Sequence, residues 1–310
     1  MKGNMKGINC NVLRLVFVAC LSALQLYVLF SGHFHGMICT ALGAADSAKV
    51  RDEAGGRQVD PQLEGFKLVH LLPEAVPFGE GELFTFAIQY GLIYAGDATL
   101  EVRNIAVLDS TKAYHIISTA RTNSAFDLVF KVRDRHDSFM DYDNLYSLRF
   151  EKHVREGRFK RDEKVIFDQR NHIAMYDDKK VPIPPNTQDF LSALYCARTL
   201  PLEVGMAVAM ANHTGGKNYP IYAKVLRRER VKVPAGEFNC LVVEPVLQTT
   251  SIFEHKGKLT IWFTDDRFRM PVLLRSKVVI GAFEAVLKNY VLSPTERTTI
   301  ERKDLPSGGE

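Results

Sequence analysis

Chemistry in this chain must come from side chains that move a proton, hold a metal or attack a carbonyl. Nine histidines are scattered: His33, His35, His70, His115, His136, His153, His172, His213 and His255. None stands at the spacing of a helical ligand pair. The densest polar group is Asp134, His136, Asp137, Asp141 and Asp143. On a strand, Asp134 and His136 share a face and Asp137 takes the other. Acid–base work is conceivable there; a solvated strand end running into an Asp-rich turn is the simpler reading. Ser192 and Cys196 lie one helical turn apart with no base nearby in sequence and no GxSxG elbow. Asp265 and Asp266 are neighbours, diverge on an extended chain, and suit a turn. No catalytic residue, metal ligand or cofactor is expected from these patterns.

Three aromatic residues fit binding better than reaction. Trp262 is the only tryptophan and shares a strand face with Lys258, Thr260 and Thr264. A large ring among polar neighbours is either covered by a helix or offered to a partner. Tyr90 and Phe130 join it as expected lining residues of an apolar site. Cations gather at Lys152–Lys164 and Lys224–Lys232. In the second group Lys224, Arg228, Arg230 and Lys232 would share one strand face, either recognising anions or guarding a solvated sheet. Asn212-His213-Thr214 matches a glycosylation sequon, which matters only in a eukaryotic secretory pathway.

The elements that would position these residues are strands. Phe84, Phe86, Ile88 and Tyr90 alternate with Leu83, Thr85, Ala87 and Gln89; similar alternation covers Ala98–Val102, Tyr146–Phe150 and Leu259–Phe263. Each run describes a strand with one buried face. Turn signals stand between them at Gly96-Asp97, Glu156-Gly157, Pro234-Ala235-Gly236, Lys256-Gly257 and Asp265-Asp266. No strand–helix–strand rhythm appears, so a parallel nucleotide-binding sheet is not expected. Two short helices interrupt the strands. One runs from Ser124 to about Phe130, with Ser124 and Asp127 at capping-box spacing. The other runs from Asp189 to Thr199, between Pro184-Pro185 and Pro201. The expected fold is mainly β: a curved antiparallel sheet or incomplete β-barrel with about two covering helices.

The blocks Leu83–Val102, Asp189–Leu194 and Leu259–Leu287 resemble the core of a bacterial domain of unknown function found in exported proteins of Gram-negative bacteria. The likeness spans roughly residues 78 to 292. More weakly, the Trp-x-x-Asp hairpin and the order of elements are similar to periplasmic lipoprotein carriers of the LolA/LolB kind. That resemblance implies an incomplete barrel, lidded by short helices, around an apolar cavity.

The amino terminus points to the same compartment. Lys2, Lys6 and Arg14 are the only formal charges before Asp46, and Leu15–Phe30 carries none. This is the basic and apolar pattern of a secretory signal, with small residues at Gly43-Ala44-Ala45 for processing. The stretch from Leu15 to Ala45 is equally long enough for an uncleaved anchor. Either way the cations hold that end in the cytoplasm, and the chain beyond the apolar stretch is exported. Neither Cys20 nor Cys39 matches a lipid-attachment motif; Cys196 and Cys240 are the cysteines of the exported part. The whole chain carries 40 basic and 36 acidic residues. All but one unit of the excess lies before residue 15, so no nucleic-acid partner is expected.

The expected domains are an export segment at 1–45, a linker at 46–76, a β domain at 77–293 and a loose tail at 294–310. The expected function is a non-enzymatic periplasmic envelope protein. It would be free or anchored in the inner membrane through residues 15–45, and would hold a lipid or other apolar ligand in the concave sheet. The alternatives are an envelope assembly protein that binds another protein through a sheet edge or the Trp262 face, and a hydrolase.

Overall fold

The computed structural model describes residues 67–69, 76–247, 258–277 and 281–293. The expected export segment and tail lie outside them. The first half of the chain contributes β1 (Lys67–Val69), β2 (Leu83–Tyr90), β3 (Ile93–Leu108), β4 (Thr111–Thr122), α1 (Ser124–Asp127), β5 (Arg133–Asp141), β6 (Ser147–Glu156), β7 (Phe159–Asp168), β8 (Ile173–Met175) and β9 (Lys180–Pro182). The second half contributes α2 (Phe190–Arg198), β10 (Met206–Met210), β11 (His213–Thr214), β12 (Lys217–Asn218), β13 (Ile221–Val233), β14 (Gly236–Leu247), β15 (Lys258–Thr264), β16 (Pro271–Lys277) and β17 (Ala282–Val291).

Fifteen of these strands form one sheet in the order β1-β10-β13-β14-β15-β16-β17-β2-β3-β4-β5-β6-β7-β8-β9. Every pairing is antiparallel except β1 with β10. The sheet does not close, so β1 and β9 are its edges. Strands β2 to β9 run in chain order. The chain then crosses the hollow through α2, starts again near the opposite edge, and returns so that β17 pairs with β2. The alternation in sequence is met: Phe84, Phe86, Ile88, Ala98, Leu100 and Val102 are all buried in one core. Within the segment expected to be a linker, the described residues Lys67–Val69 pair with β10.

Two of the sheet's six register shifts among the described residues bear on the expected faces. Between β5 and β6 the register jumps from Phe139↔Arg149 to Met140↔Ser147, leaving Leu148 unpaired. An extra residue reverses the alternation, so Ser147 turns inward beside Phe150 and both are buried. Between β13 and β14 the jump falls at Leu226. The basic face expected along β13 is therefore split, with Lys224 on one side and Arg228, Arg230 and Lys232 on the other. Four cations of this strand are also paired, Lys224 with Glu244, Arg227 with Glu229, Arg228 with Asp265 and Arg230 with Glu237.

The first helix is shorter than expected and capped differently. Asn123, not Ser124, is its cap, accepting from the Phe126 amide at 3.0 Å. Asp127 is drawn instead to Arg133 and Thr122.

A candidate apolar cleft beneath the crossover helix

Asp189 and Arg198 fix the two ends of α2. Asp189 stands at the N-cap, where an acceptor satisfies amides that have no partner within the helix. Its Oδ1 accepts from the Leu191 and Ser192 amides at 2.8 and 2.9 Å. The Asp189 amide in turn donates to the Ser192 hydroxyl oxygen, closing a capping box. Oδ2 accepts from the Ser138 and Ser147 hydroxyls, each at 2.6 Å. Burial pushes the Asp189 carboxyl above its ordinary range, and these hydrogen bonds oppose that rise.

At the other end, Arg198 donates to both oxygens of Glu82, at 2.6 and 2.8 Å, and to the Phe268 carbonyl at 3.1 Å. Both side chains are fully buried. The guanidinium also lies within about 5 Å of the Phe78, Phe84 and Tyr195 rings. The residues just before α2 are stitched to both halves of the sheet. Gln188 donates its side chain to the Leu145 carbonyl and its amide to the Ala211 carbonyl.

One flank of the helix is packed tightly against β4–β6. His136 lies against Phe190 at 5.3 Å and Phe150 at 6.0 Å. Its Nε2 is buried without a hydrogen-bond partner. Burial drives this imidazole down to about 3, and the Lys152 charge adds to the effect. Lys152 itself is buried, and burial lowers its ammonium to about 8.

The opposite flank leaves a cleft of about 90 Å³, open to solvent on one side. The helix contributes Phe190, Leu191, Ala193, Leu194 and Ala197. The facing sheet contributes Phe86 and Leu100 together with Ile221, Ala223, Val243, Ile261, Phe263 and Leu274; Met210, Pro245 and Leu259 complete it. Every lining side chain is apolar. Of the hollow expected from sequence, this apolar cleft beside α2 is what the described residues present.

None of the three residues expected to line the site is in the lining. Trp262 projects from β15 to the face opposite Ile261 and Phe263. It is only 2% exposed, with Arg275 5.1 Å from its ring centre. Tyr90 lies at the end of β2 with its ring 4.7 Å from Phe283, and Phe130 packs on Gly157. The signal that could have found the cleft was present: the Phe190/Leu194 stripe and the Ile261/Phe263 face.

The remaining candidates have structural partners. Asp137 accepts from His115 and Arg135, which hold its carboxyl well below the usual range against the cost of burial. Asp266 caps its turn by accepting from the Thr264 hydroxyl and the Phe268 and Arg269 amides. Cys196 and Cys240 are free thiols, each pushed by burial up to about 12. A thiol held there is protonated at neutral pH and a poor nucleophile. Among the described residues no group of His, Cys, Asp and Glu is placed to hold a metal ion, and no helix is long and apolar enough to cross a membrane.

Residues 85–288 match the model of a protein family described as a protein of unknown function, DUF3108. No curated protein matches the sequence. Among solved structures, the chain is similar to a β-barrel-like protein of the domain of unknown function DUF1849 from Brucella abortus. The TM-score is 0.51 at 8% identity, covering 71% of this chain and 100% of that one. A candidate lipoprotein from Parabacteroides distasonis aligns with a TM-score of 0.33 at 10% identity, over 70% of this chain and 99% of that one. A candidate exported protein of YmcC-like fold from Bacteroides fragilis gives 0.28 at 14% identity, over 71% and 100%. The first likeness is one of fold alone.

Proposed function

We propose that this chain, which belongs to the DUF3108 family of proteins of unknown function, is a non-enzymatic protein of the bacterial envelope that holds an acyl chain in the cleft beneath α2. The observation that carries the reading is the cleft itself, open on one side and lined only by apolar side chains. Water gains few hydrogen bonds in such a space, whereas a hydrocarbon chain gains contacts on every side. A volume of about 90 Å³ lies below the roughly 300–1,000 Å³ of sites that enclose a drug-sized molecule. The cleft therefore suits part of a single chain, with the remainder emerging through the open side. Export to the periplasm, free or anchored, is supported by the basic and apolar pattern of residues 1–45.

The test is uptake of a fluorescent fatty acid by the full chain, compared with a variant carrying Ala193→Leu and Ala223→Leu. Because the apolar amino terminus can itself take up fatty acid, the decisive quantity is the difference between the two. Loss of saturable binding in the variant is expected. Equal binding by both proteins overturns the reading.

A further inference from the structure

Turns between antiparallel strands favour Gly, Asn, Asp and Ser, which tolerate the required backbone angles and face water. The two-residue turn joining β2 to β3 supplies one such residue, Gly91 with φ +57°. It then presents Leu92, Ile93 and Tyr94, which are 103%, 51% and 43% exposed. The Tyr94 hydroxyl is tied to Asp97, but the exposed Leu92 and Ile93 side chains are more apolar surface than a solvated turn requires. A second apolar pair, Leu128 and Val129 after α1, is 89% and 37% exposed. The two groups are held together: Asn123, the cap of α1, donates its side chain to the Tyr94 carbonyl at 2.9 Å and its amide to the Ala95 carbonyl at 3.0 Å.

Cations stand on strand ends and turns at the same end of the sheet. Arg121, Lys131 and Arg158 are exposed, and the Gly157 amide bonded to the Lys131 carbonyl keeps the last two adjacent. Of the acids at this end, Asp97 and Asp127 are paired with Lys288 and Arg133, and Glu156 stands in the same hairpin as Arg158. We propose that this end of the sheet docks on an anionic lipid bilayer. Leu92, Ile93, Leu128 and Val129 enter the interface while Arg121, Lys131 and Arg158 meet the headgroups. Two projecting turns with apolar tips and a cationic collar match an interface that accepts side chains singly and attracts positive charge. The inference does not rest on the cleft, which lies on other residues.

The test places a reporter at each end of β3 in the full chain. Leu92→Trp marks the tip. Val107→Trp, at an exposed site roughly 50 Å away at ~3.3 Å per residue, marks the far end. Trp262 is buried in both and supplies a constant background that the unsubstituted chain measures. Vesicles of phosphatidylglycerol with brominated acyl chains should shift the Leu92→Trp emission to the blue and quench most of it, leaving Val107→Trp unchanged. Adding Arg121→Glu, Lys131→Glu and Arg158→Glu to Leu92→Trp should restore the emission. An apolar amino terminus tethering the whole chain would affect both reporters alike. Equal quenching at the two ends, no quenching at Leu92→Trp, or quenching that survives charge reversal overturns the proposal.

Discussion

The two flanks of α2 meet the same sheet on different terms. Toward β4–β6 the helix is tied by Asp189 to two serine hydroxyls and packed on His136 and Phe150. Toward β13–β16 it presents only apolar side chains, and they leave a void. The buried clamps at Asp189 and Arg198 fix the helix ends whatever lies beneath its free flank. A ligand that occupies the cleft recovers the missing contacts without having to order the helix first.

The contrast between the flanks is broken most severely at Glu82. Removing one partner of a buried ion pair leaves an uncompensated charge, so Glu82→Ala should cost about 3–5 kcal/mol in urea unfolding. Replacing Glu82 and Arg198 together by Met should cost far less, since both charges then disappear. Asp189→Ala removes the cap and strands two buried hydroxyls, and about 2–3 kcal/mol should be lost by the same measurement.

A pH series sharpens the contrast on the packed flank. An unfolded histidine binds its proton below about 6.5, whereas buried His136 resists protonation down to about 3. Between those values the unfolded state carries the extra proton, so stability falls as pH drops, by up to about 1.4 kcal/mol per pH unit. In His136→Phe this part of the slope should vanish, as urea midpoints at pH 6.5 and 5.5 would show. The smallest effect separates the flanks directly. Ala120→Leu, in the packed half, should cost about 1–3 kcal/mol through overpacking. Ala223→Leu, which points into the cleft, should be neutral or stabilise by ~0.5–2 kcal/mol.

Much of this architecture was legible because alternation has a fixed period. Phe84, Phe86 and Ile88 are inward as their spacing requires, and Asp189 begins the helix that the flanking prolines delimit. The departures come from single inserted residues. The bulge at Leu148 brings Ser147 round to meet Asp189, and the bulge at Leu226 divides the basic face of β13. No local pattern marks either position, because a bulge is a property of two paired strands. The site was harder still. Trp262 attracted notice by its rarity, yet its parity on β15 places it opposite Ile261 and Phe263. Which inward residues border a void depends on how α2 settles across strands far away in sequence, and that packing is not written in any one segment.

The most direct measurement is covalent: irradiate the full chain with palmitic acid carrying a diazirine on its acyl chain, and map the adducts by mass spectrometry. Adducts should fall in the segments Phe190–Arg198 and Lys258–Thr264 and disappear when Ala193→Leu and Ala223→Leu fill the cleft. Adducts confined to residues 15–45, or unchanged by the two substitutions, would contradict a ligand site beneath the crossover helix.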